Sequence, residues 1–358
     1  MIFLVGTFPP PVHGMSAINQ ALYDRLVAER RAVKKLNTAP RSLKRDVFSR
    51  LSRLGRVVSA WSAFFGTASG KDVLYLSAAG GWGQVYDVVT IMIARLRRLR
   101  CIIHHHNFSY LHRWRWLSAL LFRVAGENAV HIVLCEQMRR VLSEKYALHR
   151  ILVVSNIAFY PPTPQAMPRG RLCTLGFLSN ITSEKGGRMV LDLAVAIREQ
   201  AIRLDVVLAG PCLEQDLTQE LDRAASQGIL EWRGSVYGEQ KLRFWQDIDV
   251  FVFPTQYPNE AEPIVIFEAL AAGVPVITYQ RGCIADQVGA AGILVPTHVD
   301  FVQKALEVLQ RWHLNQGEFQ SIARAALLRY QMMWGEGTSQ WSSLLGFLEQ
   351  QAGAGEKN

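Results

Sequence analysis

Short apolar runs alternate with longer amphipathic stretches along nearly the whole chain. In the first half, MIFLVG (1–6), DVLYL (72–76), RCIIHH (100–105) and VHIVLC (130–135) have the length and β-branched content of buried strands. Between them, AINQALYDRLVAE (17–29) and YDVVTIMIARLRRL (86–99) carry apolar positions at helical spacing. The pattern breaks at PPTPQAMPRGR (161–171), which holds four prolines in eleven residues and has no apolar period. It then restarts: LCTLGFLS (172–179), LDVVLAG (204–210), DVFVFP (249–254) and PVITY (275–279) are strands with helices between. Strands alternating with helices predict parallel sheets. The proline-rich break predicts two α/β units: an N-terminal domain over 1–155, a linker over 156–171 and a C-terminal domain over 172–338. A terminal helix over 339–358 is expected to cross back to the first domain. In doubly wound sheets ligands sit beyond the carboxyl ends of the strands, so the loops there are where chemistry is expected.

Composition sharpens this picture. With 358 residues, 49% hydrophobic and 19% charged, the chain can bury two cores and is not a disordered or fibrous protein. The most apolar stretches are interrupted by arginines, so no spanning helix is expected, and MIFLV is a first strand, not a signal-peptide core. Five scattered cysteines without a C-x-x-C pair suggest reduced, buried cytoplasmic thiols. Charge is unevenly divided. Residues 1–155 hold 23 Lys+Arg against 8 Asp+Glu, and residues 156–358 hold 16 against 22. A basic first half points to an anionic partner.

The densest chemistry lies in NEAEPIVIFEALAAGVPVI (259–277). Pro263 suits a first helical turn and Gly273 a helix stop, predicting a helix from about Pro263 to Ala272. Its N-terminus, opened by Pro263, would offer the free amides of Ile264 and Val265 to a diphosphate, and these three residues are the candidate donor-binding turn. Glu260 stands in the loop before it and Glu268 on it, and a carboxylate can accept two hydrogen bonds from a vicinal diol. The stretch, with GCIADQVGAAGILVP (282–296) after it, resembles the signature of family-4 retaining glycosyltransferases of the GT-B fold. That resemblance implies two Rossmann-like domains facing each other across a cleft. It gives Glu260 the transferred sugar and Glu268 the ribose of a UDP- or GDP-sugar. Glu262 has the wrong spacing and is taken as a helix-start residue.

The same family places an arginine and a Lys-Gly on its diphosphate. SNITSEKGG (179–187) keeps Lys185 but has Asn180 in place of the arginine, with Arg233 and Lys241 as candidate replacements. Near the N-terminus, FPPPVHGMS (8–16) leads into a helix, with Gly14 open to a donor, His13 to an acceptor and Ser16 as N-cap. In the run His104-His105-His106-Asn107, strand alternation keeps the three histidines from converging on one ion. The resemblance favours His106 at the reacting sugar, with His104 and Asn107 toward the acceptor.

These readings combine into a hexosyltransferase acting with retention and without metal or other cofactor, on a free or lipid-linked saccharide. The setting they imply is bacterial polysaccharide or lipopolysaccharide synthesis. A nucleotide-sugar epimerase on the same fold is the alternative. Nine Lys+Arg in residues 31–56, interleaved with Phe48, Leu51 and Leu54, and a basic aromatic stretch at LHRWRWLSALLF (111–122), predict docking on an anionic membrane surface. No reader motif for nucleic acid accompanies the charge. The expected place is therefore the cytoplasm, peripheral on the inner face of the membrane.

Overall fold

The computed structural model describes residues 1–39, 47–160 and 167–353, which form two compact units. The first comprises residues 1–161 and 335–358, and the second residues 162–334.

The first unit has six parallel strands: β1 (Ile2–Gly6), β2 (Val33–Asn37), β3 (Val73–Ala78), β4 (Arg100–His105), β5 (Val130–Val133) and β6 (Ile151–Val153). They lie in the order β2-β1-β3-β4-β5-β6. Its helices are α1 (Gly14–Ala28), α2 (Val47–Thr67), α3 (Gln84–Leu96), α4 (Ser109–His112), α5 (Trp116–Ala125) and α6 (Glu136–Tyr146). Right-handed crossovers send α1 to one face of this sheet and α2, α3 and α5 to the other. The observed packing of α2 on α3 and of α3 on α5 fits that layer. Phe3 and Leu4 of β1, Tyr75 of β3 and Phe64 of α2 are fully buried in this core.

The second unit repeats the architecture with β7 (Thr174–Leu178), β8 (Asp205–Ala209), β9 (Glu231–Trp232), β10 (Val250–Phe253), β11 (Val276–Tyr279) and β12 (Gly292–Val295). The order is β12-β11-β10-β7-β8-β9, all parallel. Counted within the unit, this is the 3-2-1-4-5-6 order of a dinucleotide-binding sheet. The helices are α7 (Gly187–Glu199), α8 (Gln215–Ser226), α9 (Gly238–Asp247), α10 (Ile264–Ala271), α11 (Ile284–Val288) and α12 (Phe301–Leu314), and α13 (Gln316–Gly353) begins in this unit and belongs to the first from Gly335 on. Strands β10 and β11 are buried on both sides of the sheet, which is why DVFVFP and PVITY read as near-continuous apolar runs.

Several expectations need correcting. The helical spacing of Phe48, Leu51 and Leu54 falls on α2, which begins at Val47, whereas Lys34 and Lys35 of the same basic stretch lie on the edge strand β2. Lys34 Nζ donates to Thr67 Oγ1 and Lys35 Nζ to Gln20 Oε1, while Arg31 pairs with Glu349. Lys44 and Arg45 lie outside the described residues, as do residues 161–166 of the expected linker. The terminal helix begins at Gln316, not at 339. Cys101, Cys173 and Cys212 are free thiols, but Cys173 is exposed, so the picture of five buried reduced cysteines does not hold throughout. Among the described residues, no helix is long and apolar enough to cross a membrane.

Candidate functional site

In the second unit the strand order reverses between β7 and β10, and the loops after these two strands flank the crevice where such sheets take ligands. The loop after β7 carries Asn180 and Lys185, and the loop after β10 carries Thr255, Tyr257 and Glu260. Backbone geometry brings the two loops together. Gly186 has φ +91°, and a Cβ there would stand 2.7 Å from the Pro254 carbonyl oxygen, so only glycine lets the turn approach the end of β10. Gln256 N donates to Glu184 O across the same junction.

Two lysine–glutamate pairs result. Lys185 Nζ lies 2.5 Å from Glu260 Oε2, with side-chain exposures of 23% and 10%. Thr255 Oγ1 donates to the same carboxylate oxygen at 3.0 Å, and its residue is fully buried. The Lys185 ammonium also stands 4.6 Å from the Tyr257 ring centroid. Lys241, from α9, lies 2.5 Å from Glu268 Oε1, and the Glu268 side chain is only 4% exposed. Of the two cations proposed to replace the missing arginine, only Lys241 reaches a site glutamate. Arg233 is held by Glu231 at 2.9 Å and Asp247 at 2.6 Å. Asn180 is half-buried at the end of β7.

Helix α10 runs from Ile264 to Ala271 with Pro263 as N-cap, within a residue of the expected span, and Gly273 takes φ +68° just past its end. Its first turn leaves backbone amides without intrahelical partners, and Ile264 and Val265 are half-buried there. Gly282 fixes the approach from the other side: a Cβ would meet Glu260 O at 2.7 Å, and Cys283 N donates to Ala261 O. Thr255 and Tyr257 escaped the sequence reading, although their place directly after a strand at the reversal point was the available signal.

The first unit places its candidates differently. His13, not Ser16, is the N-cap of α1: His13 Nδ1 accepts from Ser16 N at 3.4 Å and Ser16 Oγ accepts from His13 N at 2.9 Å. Gly14 is exposed, with nothing within 4 Å of a Cβ built on it, so no contact in the structure requires glycine at this position. His104 is fully buried, 2.9 Å from Tyr75 OH, and is not open to an acceptor. Asn107 is buried too, its Oδ1 accepting from Ser109 N at 2.8 Å and Ser109 Oγ at 2.6 Å at the start of α4.

His105 bonds Tyr110 OH at 2.6 Å and His131 Nδ1 at 3.0 Å. His106 is half-buried by exposure of the whole residue, yet its ring sits in buried surroundings that push it down to about 3, with a hydrogen bond to Asn156 opposing the shift. Its Nε2 has no hydrogen-bond partner among the described residues. Burial likewise holds His104 and His105 well below the usual histidine range and lowers His131 to about 4. No cluster of three metal-ligating side chains occurs among the described residues.

Comparison with known proteins places this geometry. Residues 173–311 match the family described as glycosyl transferases group 1. "Putative glycosyltransferase EpsF" of Bacillus subtilis (strain 168) is 28% identical over 196 residues, covering 49% of this chain and 50% of EpsF. "Putative colanic acid biosynthesis glycosyltransferase WcaL" of Escherichia coli (strain K12) is 26% identical over 161 residues, 43% of this chain and 39% of WcaL. The chain thus matches half or less of the length of these relatives. Among solved structures, Anabaena Alr3699/HepE in complex with UDP superposes with a TM-score of 0.69 at 16% identity, over 96% of this chain and 99% of that one. Sucrose-phosphate synthase (tll1590) from Thermosynechococcus elongatus gives 0.73 at 15% identity, over 97% and 98%. The protein has the GT-B fold, and residues 173–311 within its second unit are similar to the glycosyl transferases group 1 family.

Proposed function

We propose that the chain is a retaining glycosyltransferase that moves a hexosyl group from a UDP- or GDP-sugar to a free or lipid-linked saccharide. The observation that carries this reading is the pair of lysine–glutamate contacts at the strand-order reversal of the second unit, beside the N-terminus of α10. Lys185 and the first amides of α10 supply positive charge for a diphosphate. Glu260, anchored by Thr255, serves the transferred sugar, and Glu268 accepts hydrogen bonds from the ribose diol. Lys185 and Glu260 hold each other in place until the donor arrives.

In the reaction, the bond from the anomeric carbon to the diphosphate oxygen breaks, and its electron pair leaves with the diphosphate. The acceptor hydroxyl bonds that carbon from the same face and gives its proton to the departing phosphate oxygen. Charge grows on the diphosphate as the sugar becomes cationic, so fixed donors at the diphosphate lower the barrier. His106, neutral at pH 7, has its Nε2 buried and without a hydrogen-bond partner among the described residues, so a role at the reacting sugar requires the ring to turn outward. No metal is assigned a part in this scheme. The likeness to EpsF and WcaL supports bacterial polysaccharide synthesis as the setting, and the basic first half supports peripheral work at the inner membrane face.

The test is slow nucleotide release from a panel of UDP- and GDP-sugars. Release from at least one donor, with activity surviving a chelator, is expected. No turnover of any nucleotide sugar contradicts the reading, and interconversion of the sugar without release favours the epimerase.

A further inference from the structure

Helix α3 is apolar on two sides. Its inner side packs Val88, Ile91 and Ala94 into the unit. Its outer side continues a stripe from the preceding turn: Trp82, Val85, Val89, Met92 and Leu96, spaced three and four residues apart. Trp82 is 78% exposed and Leu96 73%. A helix packed on a sheet normally turns polar residues outward, so this second stripe is unexplained by the fold.

The neighbouring helices repeat the feature. On α2, Leu54, Val58 and Phe65 are exposed while Val57 and Phe64 are buried. On α5, Trp116 and Leu120 are exposed one turn apart, and Trp114 precedes them. Because α2, α3 and α5 form one layer on one face of the sheet, their outer sides form one surface. Scattered exposed apolar residues are ordinary, but three adjacent helices doing this together mark an interaction face.

Charge selects the occupant. Between residues 54 and 125 there are nine Lys+Arg and two acids, Asp72 and Asp87. Both acids are buried: Asp72 holds the N-terminal ammonium and Ser69, and Asp87 accepts from Ala79 N. Helices α2, α3 and α5 therefore expose cations and no carboxylate, while α6, on the same face beyond α5, adds Glu136, which pairs with Arg139, and the exposed Glu144. A second copy of this chain would set cations against cations, whereas an anionic lipid surface complements them. Indole rings rimmed by arginine suit the boundary between headgroups and acyl chains.

We infer that the outer face of α2, α3 and α5 docks on an anionic bilayer, with Trp82, Met92, Leu96 and Trp116 entering the interface. This rests on the membrane-facing reading above and relocates it, since Arg31, Lys34 and Lys35 are engaged within the unit.

The experiment is co-sedimentation of the full chain with phosphatidylglycerol–phosphatidylcholine vesicles at low salt. Parent protein should bind. The double variant Met92→Glu/Leu96→Glu should lose affinity by about 100-fold, from two apolar side chains withdrawn and two like charges added. Trp82→Ser/Trp116→Ser should lose about tenfold or more, and Lys34→Ala/Lys35→Ala should stay near the parent. Nucleotide release from the donor, measured without vesicles, should be equal in all variants, which also certifies folding. Failure of the parent to bind, or binding of the first two variants as tight as the parent's, overturns the docking face while leaving the enzyme reading intact. So does a dimer in sedimentation equilibrium that Met92→Glu/Leu96→Glu dissolves. Binding without any donor turnover overturns the enzyme reading alone.

Discussion

The two units share six parallel strands and flanking helices, yet they treat their polar side chains in opposite ways. In the first, the histidines at the end of β4 turn inward and form neutral hydrogen bonds with Tyr75, Tyr110 and His131. In the second, opposed charges meet, Lys185 on Glu260 between the loops after β7 and β10, and Lys241 of α9 on Glu268 of α10. Buried neutral networks fix a core, while half-buried charges held by neighbours are groups that a polar ligand can recruit. Chemical suggestiveness in a sequence therefore does not rank sites. Three adjacent histidines looked more like chemistry than a threonine after β10, and Thr255 is the one that touches a candidate catalytic carboxylate.

This contrast can be broken at several points. The largest effect is expected at the second unit's charges. Glu260→Ala should lower turnover by about 100-fold or more, read as nucleotide release from the donor, and a loss under threefold would remove Glu260 from the chemistry. In the first unit, His105→Ala should act on stability instead, costing about 2–4 kcal/mol in a urea titration through lost packing and stranded hydrogen-bond partners. An unchanged midpoint would show that the network is not structural.

The buried histidines also set a pH dependence. His106 and His131 are lowered to about 3 and about 4, so above the ordinary histidine range both folded and unfolded chains are neutral there and stability is full. As pH falls below about 6.5, the unfolded chain takes up protons that the folded chain refuses. Stability should then drop by about 1.4 kcal/mol per pH unit for each such histidine, down to their folded values. Stability flat between pH 6.5 and 4.5, followed by thermal unfolding of parent protein, would mean that these rings are protonated in the fold. The smallest effect is at the cap of α1: His13→Ala should cost about 1 kcal/mol and leave turnover unchanged. A turnover loss there would restore His13 to the acceptor site.

Most strands and the architecture were legible because buried parallel strands leave apolar runs that nothing else in the chain imitates. The edge strand β2 was not legible. Of VKKLN only Leu36 is buried, and two lysines on an exposed edge look like the basic helix that begins ten residues later. The cap of α1 was misassigned because histidine is outside the usual capping residues, so Ser16 drew the assignment. Glu260 and Glu268 were legible through the family resemblance of the stretch around α10, and Lys185 through that of the Lys-Gly turn after β7. The pairing of Lys241 with Glu268 was not, because it depends on how α9 is set against α10 and no spacing along the chain encodes that.

Calorimetry with free UDP and GDP on the parent, Glu268→Ala and Glu260→Ala tests the central claim most directly. The account predicts that the parent binds one of the two. It further predicts that Glu268→Ala weakens binding by about 1–3 kcal/mol while Glu260→Ala keeps the parent's affinity. Absence of binding to either nucleotide, or equal losses in both variants, would contradict it.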